Sequence, residues 1–324
     1  MHYFYKALMA ISALPLAADA VAQSSAGYPN RPLRFIVPYA AGGNGDIVAR
    51  IIAQKLITQI GQQLVIDNRG GAGGNIGAEL AARAAPDGYT FMLGTNTHVI
   101  NMRLFSKLPY DIQRDFAPVT LTTSAPMVLI VHPSLPAKTV KEFITLARAH
   151  PKKLNFASGG SGSSAHVISE LFASMAGVQL THVAYKGAAQ ATTDLIAGQI
   201  QMSFNSTATA LAHMQAGRVR GLGISTAMRS SAAPGLPTIA ESGLPGFDAS
   251  IWQGVFTPAR TPLEIIVRLN RELVAVLGAS EVKEQLRVQG LDALPSAPDA
   301  FADFIRVEIA KWAKVIKISG AKVD

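Results

Sequence analysis

Two glycine-rich segments carry the residue types best suited to gripping a ligand. Ala40-Ala41-Gly42-Gly43-Asn44-Gly45-Asp46 follows an apolar run ending at Tyr39 and opens a helical pattern. Ser158-Gly159-Gly160-Ser161-Gly162-Ser163-Ser164 occupies the same position between a second strand-like run and a second helical pattern, with His166 in the first turn. Glycine lets the backbone come close to a ligand, and Ser and Asn add short polar groups. The helix behind each loop offers unpaired amides and the positive end of its dipole. Together these make an anion site that needs no arginine. Hydrogen bonds to a charged group contribute about 1.5–3 kcal/mol each, whereas micromolar affinity corresponds to about −8 kcal/mol. Several such contacts to one carboxylate therefore suffice after ordering costs. Either loop alone reads equally well as an ordinary tight turn; the pair points to a cleft gripped from both sides.

Other polar residues stand at strand ends: Thr95-Asn96, Tyr185-Lys186 and Asn205-Ser206. In an open α/β sheet that is where ligands sit, although capping a helix is the commoner fate of Asn and Ser there. Asp46 either complements a helix N-terminus or meets a ligand ammonium group. His166 either donates to a ligand or is a solvated loop histidine. Trp252 reads as core.

Other chemistries fit less well. The segment 33–67 is a β–Gly-loop–α–β unit with Asp67 where a ribose-binding acid belongs, which makes a nicotinamide-dependent oxidoreductase the alternative reading. Gly43 and Gly45 supply two of its glycines, but the third position is Val48. The run Gly159-Gly160-Ser161-Gly162-Ser163 nearly spells the G-x-S-x-G of a hydrolase elbow, ends in serine, and has His166 too close in sequence for a triad. His98, His132, His150, His182 and His213 show no metal-binding spacing, and the 324 residues contain no cysteine, which removes thiolate metal sites and cysteine nucleophiles. No cofactor, no metal and no catalytic residue is expected.

The elements that must position these loops follow in strand–loop–helix order. Strand-like runs lie at 33–39, 63–66, 89–93, 119–123, 127–132, 154–157, 181–185, 201–205, 219–226 and 252–256. Helical patterns run from the first loop to Gly61, over 76–85, 140–149 behind the capping box Thr139-x-x-Glu142, after Ser164, up to Gly198 and Gly217, and over 263–277, 281–288 and 299–318. Alternation of this kind argues for an α/β fold with parallel-rich sheets. The tail has helices and too few strands to stand alone, so it packs back on the first sheet. The expected division is residues 28–123 with 248–324, and 124–247, crossing near 120–126 and 245–252. A mass of 34.1 kDa suits two domains.

Apolar residues make up 49% and charged ones 15%, which excludes a disordered chain. The net charge is +8, but the positive residues are scattered rather than gathered into a nucleic-acid-binding stripe. Lys6, the apolar stretch 7–18 and Ala20-Val21-Ala22 read as a secretory leader cleaved after Ala22. The apolar stretch falls short of the ~20 residues needed to span a bilayer. No nucleic acid and no membrane insertion are expected.

In combination and order, YPNRPLRFIVPYAAGGNGD, VIDNRGGAGGNIGAELAARAAPDGYT, FASGGSGSSAHVISELF, HVAYKGAAQATTDLIAGQI and RSSAAPGLPTIAESGLPGF followed by WQGVFTPARTP resemble the Bug family, the solute receptors of tripartite tricarboxylate transporters. The resemblance implies a periplasmic, two-domain flytrap, monomeric and non-catalytic, that closes on a small carboxylate and serves two membrane subunits. By motif match it carries ligand roles to Tyr39, Gly42, Gly43 and Asn44, and to Ser158, Gly160, Ser163, Ser164 and His166. Asp46, Asn96, Tyr185 and Asn205 join the candidate set from their positions alone. The sequence departs from the family at Asn44-Gly45, where members usually carry proline, glycine or serine followed by threonine. The identity of the carboxylate is left open.

Overall fold

Short apolar runs become strands where both faces are covered, and amphipathic runs become the helices that cover them. The computed structural model describes residues 27–105, 107–160, 163–185 and 187–319; the expected leader, Ser161, Gly162 and Lys186 lie outside these. The first run forms β1 (Leu33–Val37), buried except at Arg34. The helical spacing after it forms α1 (Asn44–Ile60), which buries Val48, Ile52 and Leu56 and ends at Gly61. The φ of 68° at Gly61 is the left-handed C-cap that glycine adopts without a Cβ penalty.

Along the chain follow β2 (Leu64–Asn68), α2 (Asn75–Ala82), β3 (Thr90–Thr95), α3 (Asn96–Leu104), β4 (Phe116–Ala125), β5 (Met127–Val131) and α4 (Val140–Ala149). Then come β6 (Asn155–Ser158), α5 (Ser164–Ala176), β7 (Thr181–Ala184), α6 (Ala188–Ile196), β8 (Met202–Ser206), α7 (Thr207–Gln215) and β9 (Arg220–Ile224). The chain finishes with β10 (Ile251–Pro258), α8 (Leu263–Gly278), α9 (Ser280–Val288), β11 (Asp292–Ala293) and α10 (Pro298–Ser319). Helix α3 and the two-residue β11 have no counterpart in the sequence reading.

These strands form two mixed sheets, ordered β11-β4-β10-β3-β1-β2 and β7-β6-β8-β5-β9. Pairing is parallel within β2-β1-β3 and β7-β6-β8, as alternating β and α predict, and antiparallel elsewhere. The antiparallel part has a simple cause. Only Pro126 separates β4 from β5, so β4 carries the chain out of the first sheet, and β10 brings it back alongside in the opposite direction.

The crossing is clamped by hydrogen bonds. Met127 N–H donates to Ser225 Oγ (2.9 Å) and Ser225 N–H donates to Met127 O (2.8 Å). Ala249 N–H donates to Ser225 O (2.7 Å), and Thr207 Oγ1 donates to Pro126 O (2.8 Å). Helix α10 braces both sides: Phe301, Ile305 and Trp312 belong to one apolar cluster with Phe116 and Phe256 of the first sheet and Phe156, Phe172 and Phe204 of the second. Trp252 is core, edge-on to Phe301 and donating from its indole to Glu308 (2.8 Å).

Candidate functional site

The first turn of α1 is shaped by Asp46, whose carboxylate accepts from Gly42 N–H (2.9 Å) and from Arg50 (2.9 Å). The Arg50 guanidinium holds the Asp46 carboxyl below its ordinary range. Asp46 thus complements its helix, and the Gly42 amide is occupied within the loop. Helix geometry leaves the Asn44 and Gly45 amides without an i−4 carbonyl. Gly45 has a packing reason as well, since a Cβ there would stand 3.0 Å from the Tyr39 ring.

Helix α3 starts at a capping box that composition alone does not announce. Thr95 Oγ1 accepts from Thr97 N–H (3.2 Å), and His98 takes the part usually played by Glu, its Nδ1 accepting from Thr95 N–H (3.0 Å). The Tyr39 hydroxyl bonds Thr95 Oγ1 (2.6 Å), and burial raises the Tyr39 pKa. The first turns of α1 and α3 line one pocket of about 270 Å3 through Gly43, Asn44, Gly45, Asn96 and Thr97, with Tyr39, Ile251 and Gln253 completing it. Asn96 and Gln253 are buried, and Asn96 Oδ1, Asn96 Nδ2 and Gln253 Oε1 have no partner within the protein.

A second pocket, of about 550 Å3, is built by three helix N-termini. Ser163 caps α5, accepting from His166 N–H (3.4 Å), and Ser163 and Ser164 line the pocket. Ala188 and Ala189 open α6 beside them, and a Cβ on Gly159 would press on Ala188 N at 3.0 Å, so only glycine lets these two turns touch. Ser206 caps α7 and lines the pocket with Thr209. Met127, Ile196 and Phe204 give an apolar wall. Asn205 also lines it, with its amide engaged by Thr192 (2.7 Å) and Ser203 (3.0 Å).

The remaining candidates stand behind this lining. Ser158 is buried, its Oγ bonded to His182 Nε2 (2.7 Å) and the backbone of Gly160. His166 is buried rather than solvated, stacked on His182 at 4.0 Å. Burial and the neighbouring His182 pull its pKa down to about 4, and burial pushes up that of Glu170, 3.8 Å away. The Tyr185 hydroxyl donates to Asp194 (2.7 Å). Sequence reasoning missed Gln253, Thr97, Thr192 and Thr209. Gln253 is hidden inside a strand, Thr97 and Thr209 inside helical first turns, and Thr192 inside the second turn of α6.

The crossing strands contribute a wall residue to each pocket. Ile251 of the first pocket pairs with Ala125, and Met127 of the second lies two residues further along the same chain. Ladder partners stand about 5 Å apart and Ala125 and Met127 at most about 8 Å, so the wall residues Ile251 and Met127 lie within roughly 13 Å of each other. Among the described lining residues there is no lysine or arginine, and no cluster of metal-binding side chains occurs among the described residues. The nicotinamide fingerprint fails on its own terms: Val48 sits on the buried face of α1, and Asp67 is engaged by Arg34 and by Arg69 (2.7 Å).

A family model described as tripartite tricarboxylate transporter family receptor matches residues 48–321. BugT of Bordetella pertussis is 36% identical over 96% of this chain and 94% of its own length. An R. palustris protein solved with adipate is 37% identical, covers 90% of this chain and 98% of its own, and superposes with a TM-score of 0.72. A TctC solute binding protein from Polaromonas, solved with no ligand, is 27% identical, covers 90% and 99%, and reaches 0.80. No described helix is long and apolar enough to cross a membrane. With these helix-capped pockets on an α/β frame, the chain belongs to the tripartite tricarboxylate transporter receptor family, the Bug proteins, whose members are solute-binding receptors and not enzymes.

Proposed function

We propose that this protein is an exported, monomeric receptor that captures one small carboxylate between two lobes, residues 28–123 with 248–324 and residues 124–247. Five helix N-termini around two pockets flanking the crossing strands carry this reading: α1 and α3 at one, α5, α6 and α7 at the other. Each presents unpaired amides and a positive dipole end, and such an end contributes ~0.3–2 kcal/mol toward a negative charge. Asn44, Gly45 and Asn96 would hold the ligand from the first lobe, and Ser163, Ser164 and Asn205 from the second. Asp46, Ser158 and His166 would keep those turns in shape from behind, and Tyr39, itself part of the first pocket's lining, would brace Thr95 through its hydroxyl.

Only a closed form touches ligand from both lobes, so ligand shifts the population toward closure. Closure about the β4–β5 and β10 crossings lets membrane subunits of a tripartite transporter tell a loaded receptor from an empty one.

A thermal-shift screen tests the reading. Succinate, malate or adipate should raise the melting temperature, because ligand bound only by the folded state stabilises it. NAD and the uncharged diamide of adipate should not. Stabilisation by NAD alone would overturn the proposal.

A further inference from the structure

The second glycine loop is pinned by a histidine that lines neither pocket. Ser158 ends β6, and its hydroxyl meets three polar groups: Gly160 N–H (3.2 Å), Gly160 O (3.0 Å) and Nε2 of His182 on β7 (2.7 Å). The ladder sets Phe156 beside His182, and the half-buried His182 ring stacks on Phe156 at 4.7 Å and on His166 at 4.0 Å. Burial lowers the His182 pKa from its ordinary 6.5, so the ring is neutral at pH 7 and one of its two nitrogens is bare.

Counting hydrogens shows which one. A serine hydroxyl has one hydrogen and two lone pairs. The Gly160 amide occupies one lone pair of Ser158. With a hydrogen on Nε2, His182 occupies the other, and the serine hydrogen goes to Gly160 O; every contact is then a hydrogen bond. With Nε2 bare, one serine hydrogen would have to serve both Nε2 and Gly160 O, and one of those contacts would set lone pair against lone pair. Buried polar groups are satisfied as a rule, and tautomers are assigned by that rule. The effect reaches the pocket through Gly160 O, which also accepts from Ser163 N–H (3.2 Å). Ser163 caps α5 and lines the second pocket, as does Gly159 between the two pinned residues.

We propose that His182 is a positioning residue for ligand capture: its ring carries a hydrogen on Nε2, donates it to Ser158, and so fixes Gly160, Ser163 and the edge of the second pocket. Its effect on capture rests on the receptor reading above; its tautomer and its hold on the loop do not.

Two substitutions separate the donor from the ring. His182→Gln places an amide nitrogen the same number of bonds from the backbone as Nε2 and removes the ring. His182→Phe keeps a flat ring against His166 and Phe156 and removes the donor. In calorimetry with succinate, malate and adipate, His182→Gln should bind within about twofold of the unmodified protein. His182→Phe should bind at least about fivefold more weakly, the effect of one lost hydrogen bond. In the ligand-free protein the Gly160 amide should exchange its hydrogen severalfold faster in His182→Phe only. The reverse order, equal affinity in all three proteins, or an equal loss in both variants overturns the assignment. If none of the three acids binds at millimolar concentration, the receptor reading falls, and the exchange rates decide whether His182 holds the loop. Should the variants fail to fold, nitrogen-15 NMR of the unmodified protein at pH 7 decides: a protonated Nε2 on His182 is the expected result, and a bare Nε2 overturns the inference.

Discussion

Asn96 and Asn205 are alike in the sequence, each an asparagine where a strand hands over to a helix, and they differ in what their amides meet. Asn205 is tied to Thr192 and Ser203, whereas Asn96 has no partner. Removing one partner from a satisfied buried pair costs about 1–3 kcal/mol. Asn205→Ala should therefore lower the ligand-free stability by that amount in urea unfolding. Asn96→Ala should lower it by none of this and raise it if anything, since it removes two unpaired groups; an equal loss for both would contradict the assignment. The neighbouring serines divide in the same way. Ser163 caps α5, so Ser163→Ala should cost about 1 kcal/mol of stability. Ser164→Ala should leave the unfolding midpoint unchanged and weaken acid binding several-fold in calorimetry. Equal affinity in that variant would remove Ser164 from the site. The two loops were legible because their Gly and Ser content is itself the chemistry. Gln253 was not, because a polar residue within an apolar strand carries no local mark.

Helix starts mattered more than helix faces for this site, and they are harder to read. The start of α5 was plain from Ser163 and the apolar spacing after it. The start of α3 was not, because its capping box uses His98 and its turns lack a strong apolar stripe. At Thr139 the motif expected to form a full box forms half of one: Glu142 N–H donates to Thr139 Oγ1 (3.1 Å), and its carboxylate reaches past the cap to Lys138 N–H (2.7 Å). The histidines in these first turns have a measurable consequence. Burial lowers His98 to about 4, and burial with His182 does the same for His166. Below the ordinary value of 6.5 the unfolded chain takes up protons that the folded chain refuses, so stability falls as pH drops from about 6.5 to about 4. The carboxylates held low, such as Asp46, lose their contribution only further down. Urea unfolding at pH 7, 5.5 and 4.5 should show a progressive loss; a flat profile would mean that these rings are not held neutral.

At the scale of the whole molecule, one design serves two ends. The strands that cross between the sheets also wall the pockets, through Ile251 on one side and Met127 on the other. The return of the chain was inferable from a tail too poor in strands to fold by itself, and β10 does enter the first sheet, between β3 and β4. The antiparallel pairing was not inferable from local alternation, because it follows from where the chain must travel. With a net charge of +8 and no lysine or arginine among the described lining residues, the proposed reading assigns attraction of anions to the long-range field and their retention to the helix ends. The decisive question is whether both pockets serve one molecule. Calorimetry with the tightest-binding acid answers it in the unmodified protein, in Asn96→Ala and in Ser164→Ala. The account predicts one acid per chain and a single binding event weakened by either substitution. Two acids per chain, each lost in one variant only, would contradict it.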